Sequence, residues 1–539
     1  MSVSGTSQEQ DFDVLVIGSG FGGSVTALRL AEKGWRVAIL EQGRRLTADD
    51  FKKAATSHTA LAWMPSMGMH GFFAQEVYQH VAILRGIAVG GGSIIYGAVS
   101  LEPKDNFYKD PAWQHLGADW RAELAPHFAT AKRMLGIADN PYRDLQDEWL
   151  KQAADVMGAG DTFGAVPQGI FFGDPGNAPR DPYFEGEGPE RSGCNRCGNC
   201  FTGCTVGAKN SLDKNYLYFA EKIGVQVVSE TRVTHIEALV HGGYRVHRCH
   251  SLSNKEQPAL LAPKVVVAAG ALGTMELLFA SRDHYRTLPN VSQALGKHVR
   301  TNSEALVGIL AKDKHVDLTR GASISSHFYP DARTHITQNR LPPSYSTMKL
   351  YMVPMIDGSR PVLRALRTVL AMLVHPGRGV ATWFARNWHK RMTYLTVMQQ
   401  ADNELAFGYG RTLLRGMRRG LKSKLAKGGR TPSFLPQANA AARAFAKVSN
   451  GIAQNMIVES VGNMSVTAHV LGGAVMAGDP QQGVIDIHHE VFGHPDLYVM
   501  DGAAIPANVG VNPSLTIAAL AERFAQQFPT KEKNHDAER

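Results

Sequence analysis

Three groups of residues in this chain have types and spacings that suit chemistry. The first is a glycine fingerprint. Gly18, Gly20 and Gly23 follow the apolar run Val14-Leu15-Val16-Ile17 and open a stretch that continues as a helix through Ala27-Leu28-Arg29-Leu30. In that setting the first glycine permits a tight turn and the second lets a pyrophosphate approach the backbone. The third lets helix and strand pack closely, so that phosphates sit on the positive helix end. A second apolar run, Arg36-Val37-Ala38-Ile39-Leu40, ends on Glu41, where a carboxylate takes both hydroxyls of an adenine ribose. The second group lies near the end of the chain: His469, followed by Gly472-Gly473, and Asn512-Pro513-Ser514. Proline suits a first helical position and asparagine the cap before it, so a helix should present its positive end beside Asn512. Such an end stabilises the negative charge of a reduced flavin. An imidazole is suited to take a hydroxyl proton while hydride leaves the carbinol carbon. Taken alone, His469 also fits a core histidine and Asn512 a plain helix cap.

The third group is Cys194, Cys197, Cys200 and Cys204, spaced C-x2-C-x2-C-x3-C. This matches the iron–sulfur run of bacterial ferredoxins, with Thr205 where proline usually follows. Structural zinc draws on two separated knuckles, which a run this compact does not supply. Disulfides do not suit a cytoplasmic protein of this size. The other reading is a set of small buried thiols. Cys249 stands apart and reads as inert.

These groups must be positioned by more than one core, because 539 residues exceed what a single core accommodates. A hydrophobic fraction of 44% with 19% charged residues is that of an ordinary globular protein. No run of eighteen apolar residues predicts a membrane span. The polar start, Met1 to Gln10, lacks a secretory pattern, so a cytoplasmic location is expected. The net charge of +9 is concentrated in Arg411, Arg415, Arg418, Arg419, Lys422, Lys424, Lys427 and Arg430. Upstream, Val362, Leu363, Leu366, Val369, Leu370 and Leu373 form one helical face opposite Arg360, Arg364 and Arg367. That pattern occurs in segments lying on anionic membranes and equally on solvated faces of a lobe. No nucleic-acid module is visible.

Strands are predicted at Val225-Val228, Lys264-Ala269 and Leu497-Met500, with helices after Gly270 and Pro513, and a second glycine-rich stretch, Gly90-Gly91-Gly92-Ser93, follows Ile87-Ala88-Val89. Pieces of nucleotide-domain character therefore stand at the beginning, middle and end. The expected architecture is α/β, with a Rossmann-like domain comprising 11–50, 84–110, 190–303 and 464–530. A discontinuous α+β substrate domain is inserted as 51–83, 111–189 and 304–463. The ends, 1–10 and 531–539, are expected to be flexible.

The chain resembles the glucose-methanol-choline (GMC) oxidoreductases. The resemblance rests on the fingerprint with Glu41, on Val89-Gly90-Gly91-Gly92-Ser93 and on His469-Val470-Leu471-Gly472-Gly473. It rests also on Asp501-Gly502-Ala503-Ala504-Ile505-Pro506 leading to Gly510-Val511-Asn512-Pro513-Ser514. Within that family it is most similar to the actinobacterial type of bacterial cholesterol oxidase. The resemblance implies FAD, a two-lobe fold and oxidation of an alcohol to a carbonyl. It makes His469 the catalytic histidine and Asn512 its partner toward substrate and flavin. FAD contacts are expected from Gly18, Gly20, Phe21, Gly22, Gly23, Glu41, Gly91, Gly92, Ser93, Tyr96, Val233, Ala269, Gly270, Asp501, Gly502, Asn512 and Pro513. The stretch Cys200-x3-Cys204-x2-Gly207-Ala208 is similar to the cysteine segment of FAD-dependent glucose and fructose dehydrogenases, which implies Cys194, Cys200 and Cys204 as cluster ligands.

Two departures matter. Tyr96 stands where relatives place an asparagine, and no carboxylate occurs around Met392-Thr393-Tyr394-Leu395, where an isomerising glutamate is expected. Glu304 and Asp402 are the nearest acids, and each reads as structural. The expected function is FAD-dependent oxidation of a large apolar alcohol, a sterol 3-hydroxyl foremost, with His469 as base. The alternatives are a long-chain or terpenoid alcohol dehydrogenase passing electrons through an iron–sulfur cluster to a partner protein, and a non-catalytic flavoprotein relay. A peripheral membrane contact accompanies the first reading.

Overall fold

The computed structural model describes residues 11–177, 179–374, 376–401, 404–411, 419–426 and 432–532. Asp402, Arg415, Arg418, Lys427 and Arg430 lie outside the described residues.

Strand β1 (Val14–Ile17), helix α1 (Phe21–Glu32) and strand β2 (Val37–Leu40) form the anticipated βαβ start. The complete sheet runs Gln226–Val228, β2, β1, Lys264–Val267, Leu497–Val499, and every pair is parallel. Parallel strands are covered on both faces, which is why these runs are continuously apolar rather than alternating. Helix Ser514–Gln527 closes the domain against α1 through Glu522, which accepts from Arg29 Nε at 2.8 Å and the Tyr216 hydroxyl at 2.6 Å. The tail is held further than expected: Lys531 donates its amide to Lys33 and pairs with Asp13 at 2.5 Å. A small sheet joins Ser465–Thr467 in parallel to Val81–Gly86, so that strand runs through the expected boundary at 83/84.

The inserted lobe is built on a seven-stranded sheet, ordered Met352–Pro354, Gly451–Met456, Ala305–Ala311, Met392–Gln399, Thr334–Asn339, Ser326–Asp331, Gly164–Ala165. Its pairs are antiparallel throughout. Side chains alternate between the faces. Ile336, Phe328, Leu395 and Val397 pack against helices Leu145–Val156 and Pro436–Val448, leaving the other face to look toward the nucleotide domain.

One helix is pinned to that sheet by an ion pair. Arg340 Nη2 lies 2.8 Å from Asp147 Oδ2, with side chains 0% and 1% exposed. Burial opposes the charge on Asp147, but Arg340 and the hydroxyls of Ser325 and Ser326 hold its carboxyl below the ordinary value. Asp147→Asn removes the charge that Arg340 needs, and breaking such a pair costs about 3–5 kcal/mol. The denaturant midpoint should fall accordingly, and an unchanged midpoint would place the stability elsewhere.

In helix Pro361–Val374 the structure decides which of the two faces turns inward. Arg364 and Thr368 point inward, and Arg364 Nη1 donates to Ser433 O at 2.7 Å. Val362, Leu366, Leu370 and Leu373 face outward, 75%, 63%, 59% and 73% exposed.

Candidate active site

The turn after β1 opens a cavity of about 720 Å³ between the lobes. Gly18 has φ +105°, and a Cβ there would meet Ala268 O at 2.3 Å, so no other residue fits this turn. At Gly20 a Cβ would meet nothing within 4 Å, which leaves the backbone open on the side where a pyrophosphate approaches. Glu41 is buried at the far end. It accepts from Ser19 N at 2.9 Å, Ser19 Oγ at 2.7 Å and Gly43 N at 2.7 Å, and burial raises its pKa.

Of the expected FAD contacts, Gly18, Gly20, Phe21, Gly22, Glu41, Gly91, Gly92, Tyr96, Val233, Ala269, Gly270, Asp501, Gly502, Asn512 and Pro513 line this cavity. Gly23 and Ser93 are not among its lining residues. Gly23 packs under the turn, where a Cβ would meet Gly18 O at 2.0 Å. Ser93 Oγ donates to Gly90 O at 2.7 Å and accepts from Leu212 N at 3.0 Å, shaping the second glycine loop from behind. Asp501 ties that side together, accepting from Gly270 N at 2.9 Å, Thr274 Oγ1 at 2.5 Å and Ala503 N at 2.7 Å. Burial pushes its carboxyl up to about 6.

His469 and Asn512 meet in the middle of the cavity wall. Nδ2 of Asn512 lies 3.1 Å from Nε2 of His469. The amide is therefore not used as a helix cap: the helix begins at Ser514, with Pro513 O accepting from Ile517 N at 2.9 Å. Asn302 positions Asn512, donating to Val511 O and accepting from Gly510 N, both at 2.8 Å. Oδ1 of Asn512 is buried without a hydrogen-bond partner.

Behind His469 stands Glu304, the acid that leads into strand Ala305–Ala311 of the other lobe. Its Oε1 contacts His469 Nδ1, and its Oε2 accepts from Ala468 N at 3.0 Å. Glu304 is 3% exposed. A carboxylate on Nδ1 keeps the proton there and leaves Nε2 as a lone pair facing Asn512. The residues thus form a carboxylate–imidazole–amide row spanning both lobes. Sequence reasoning found two members and placed Glu304 among the structural acids. Its signal was only its presence in the segment before a strand.

The substrate side of the cavity is lined mainly by apolar and aromatic groups, among them Phe201, Leu306, Leu341, Tyr345, Met348 and Tyr394. Tyr96 lies between cavity and cysteines, its hydroxyl donating to Asn210 O at 2.9 Å.

Among the described residues no three His, Cys, Asp or Glu side chains are placed to hold a metal ion. Cys194, Cys200 and Cys204 pack instead with Ala98, Ile170, Ala208 and Ala322, and each sulfur accepts one backbone N–H, at 3.4–3.5 Å. Cys197 is exposed and Cys249 buried. Burial raises the Cys194 thiol to about 12, so it stays protonated. Cys194, Cys200 and Cys204 thus share one small apolar cluster beside the cavity.

Comparison with known proteins places this geometry in context. Residues 189–300 and 398–521 match family models described as GMC oxidoreductase, and residues 13–164 one described as FAD dependent oxidoreductase. The chain is 43% identical over 537 residues to a cholesterol oxidase of Mycobacterium tuberculosis, covering 97% of this chain and 92% of that protein. It is 39% identical to a cholesterol oxidase of Acinetobacter baumannii, covering 98% and 96%. A long-chain-alcohol oxidase of Arabidopsis thaliana is 23% identical, covering 94% and 66%. The solved structure of pyridoxine 4-oxidase from Mesorbium loti shares the fold with a TM-score of 0.60 at 15% identity, covering 96% of this chain and 99% of that one.

Proposed function

Because this chain belongs to the GMC oxidoreductase family and is an FAD-dependent alcohol oxidoreductase, we propose that it oxidises the 3-hydroxyl of a sterol, with His469 as the base. The observation that carries this reading is the row Glu304–His469–Asn512, set where the glycine-lined cradle meets an apolar cavity. FAD, when bound along Gly18, Gly20, Glu41 and Asp501, supplies the acceptor for hydride. The substrate hydroxyl donates to Nε2 of His469, and its oxygen accepts from the NH2 group of Asn512, which lies 3.1 Å from that nitrogen. Nε2 removes the hydroxyl proton as hydride leaves the carbinol carbon, and Glu304 stabilises the imidazolium that forms. The sterol skeleton lies against the apolar side of the cavity, where burial favours it by about 25 cal/mol per Å². Anaerobic addition of a 3-hydroxysterol should bleach the oxidised-flavin absorbance. Bleaching by long-chain primary alcohols and not by sterols would replace this reading with the other.

The reading includes no cluster. The thiols of Cys194, Cys200 and Cys204 each accept a backbone N–H among small apolar side chains, which supports direct passage of electrons to dioxygen with accumulation of peroxide. Anaerobically prepared enzyme should contain iron and sulfide at background, and Cys200→Ser should leave FAD content and turnover intact. Stoichiometric iron and sulfide, lost with Cys200→Ser, would overturn this assignment.

The partner proposed for delivery is an anionic lipid surface. The outward apolar face of helix Pro361–Val374 supports it, with Phe384 78% exposed nearby. Exposed Arg360, Arg367 and Arg386 stand around these residues. The short helix Pro343–Tyr351 lines the substrate cavity through Tyr345 and Met348 while Leu350 is 62% exposed, so apolar surface continues inward. Among the described residues no helix is long and apolar enough to cross a membrane, so the contact is peripheral. Each basic residue near such a surface contributes about 1 kcal/mol, screened by salt. The enzyme should co-sediment with vesicles containing anionic lipid, less at high salt. Leu366→Asp with Leu370→Asp should abolish this while sparing oxidation of detergent-dispersed sterol. Undiminished sedimentation of the double variant would exclude this face.

A further inference from the structure

Strand Thr334–Asn339 carries a row of polar side chains that the reaction above does not use. Alternation places His335, Thr337 and Asn339 on the face opposite Ile336, toward the nucleotide domain. Thr337 and Asn339 line the substrate cavity together with Thr396, Glu304 and His469. His335 is the next residue along that face, 1% exposed, and close enough to His469 that charge on either opposes charge on the other. Its Nε2 lies 2.9 Å from Nδ1 of His327 on the neighbouring strand. His327 in turn places its Nε2 beside Gly164 in the short edge strand, where a Cβ would lie 3.5 Å away and no side chain intervenes. Tyr329 stacks on His335 with ring centroids 4.9 Å apart, and Lys104 Nζ sits 3.3 Å over the same tyrosine.

Three atoms in this row are buried without partners: Nδ1 of His335, Oγ1 of Thr337 and Oδ1 of Asn339. Each such atom costs about 1–3 kcal/mol unless it is satisfied. One ordered water between Nδ1 of His335 and Oγ1 of Thr337, neighbours on that face, would satisfy both, since a buried water makes two to four hydrogen bonds. The arrangement then reads as a continuous line from the cavity, through water and Thr337, to a histidine pair at the sheet edge.

We propose that Thr337, His335 and His327 carry the proton taken from the substrate by His469 out of the cavity. The inference rests on His469 acting as the base. Burial keeps both imidazoles of the pair neutral, His327 near 4 and His335 well below its ordinary value. A neutral imidazole has one donor and one acceptor nitrogen, as a relay requires. A proton arriving at Nδ1 of His335 releases the proton on Nε2 to Nδ1 of His327, whose own Nε2 proton leaves past Gly164. One proton enters, one leaves, and no electrons move. The low basicity of both rings means the charge is passed on rather than held. The tautomers reset before the next turnover.

The test uses the FAD-loaded enzyme, mixed anaerobically with dispersed sterol in weak buffer containing a pH-indicator dye. In the wild type, proton release should keep step with flavin bleaching. In His335→Phe and His327→Ala, bleaching should proceed at close to the wild-type rate, with proton release lagging by at least about tenfold. Added imidazole should shorten the lag in His327→Ala, which a merely structural role would not produce. A variant that binds FAD and releases its proton in step with bleaching overturns the relay. So does equal slowing of both signals, which would make the pair a packing element. If His335→Phe fails to fold, His327→Ala at the sheet edge decides the matter alone. Absence of bleaching in the wild type is a different outcome, since it defeats the sterol reading itself.

Discussion

Replacing His469 with alanine should slow flavin reduction by sterol about 100- to 10,000-fold while FAD remains bound. The two effects separate because the groups proposed to hold the cofactor's phosphates and ribose are not those that touch the imidazole. Gly20 leaves its backbone open on the side where a pyrophosphate would approach, Glu41 is placed for the ribose, and Asp501 fixes the turn at Gly270. His469 touches Asn512 and Glu304 and belongs to none of those contacts. Asn512→Ala should also slow reduction, because the hydroxyl loses one of the two groups that orient it. The losses should not add. Residues acting as one unit give a double variant about as slow as the worse single one. Anaerobic stopped-flow bleaching of the single and double variants decides this. Wild-type rates in both singles would move the chemistry away from this pair.

The sequence made the nucleotide half of the molecule legible because its constraints are local. A tight turn at Gly18, an open backbone at Gly20 and a carboxylate at the end of β2 are each written within a few residues. The C-terminal site was half legible. His469 and Asn512 stand in distinctive surroundings, but what joins them is a 3.1 Å contact between residues 43 apart in the chain. Glu304 was not legible in its role. It reaches His469 from the start of a strand in the other lobe, and such a pairing is created only when the two sheets are brought together. The cysteine run marks another limit: its spacing is local and clear, yet spacing does not determine what the sulfurs hold, and backbone N–H groups and small apolar side chains surround them. Helix Pro361–Val374 shows the same limit: periodicity gave its two faces but not which one turns inward, because that depends on Ser433 and Ile356 accepting from Arg364.

Glu304→Gln should reduce flavin reduction nearly as much as loss of His469, although the replacement is almost isosteric. The carboxylate does two things. It accepts from Nδ1 of His469, and its second oxygen accepts from Ala468 N. A glutamine has only one acceptor oxygen. If that oxygen stays on the Ala468 amide, the NH2 group faces Nδ1 and forces the histidine proton onto Nε2. The ring then donates toward the substrate where it must accept. If the oxygen turns to Nδ1 instead, the tautomer is kept, but the imidazolium formed on proton transfer has lost its counter-charge. Both routes weaken the transition state, and the equivalent carboxylate-to-amide change behind a catalytic histidine elsewhere costs about 10,000-fold. FAD content and thermal stability should be retained, and Glu304→Asp should recover part of the rate by restoring the charge. A variant with normal oxidation but altered placement of the product's double bond would show that Glu304 acts on substrate carbon and not through His469.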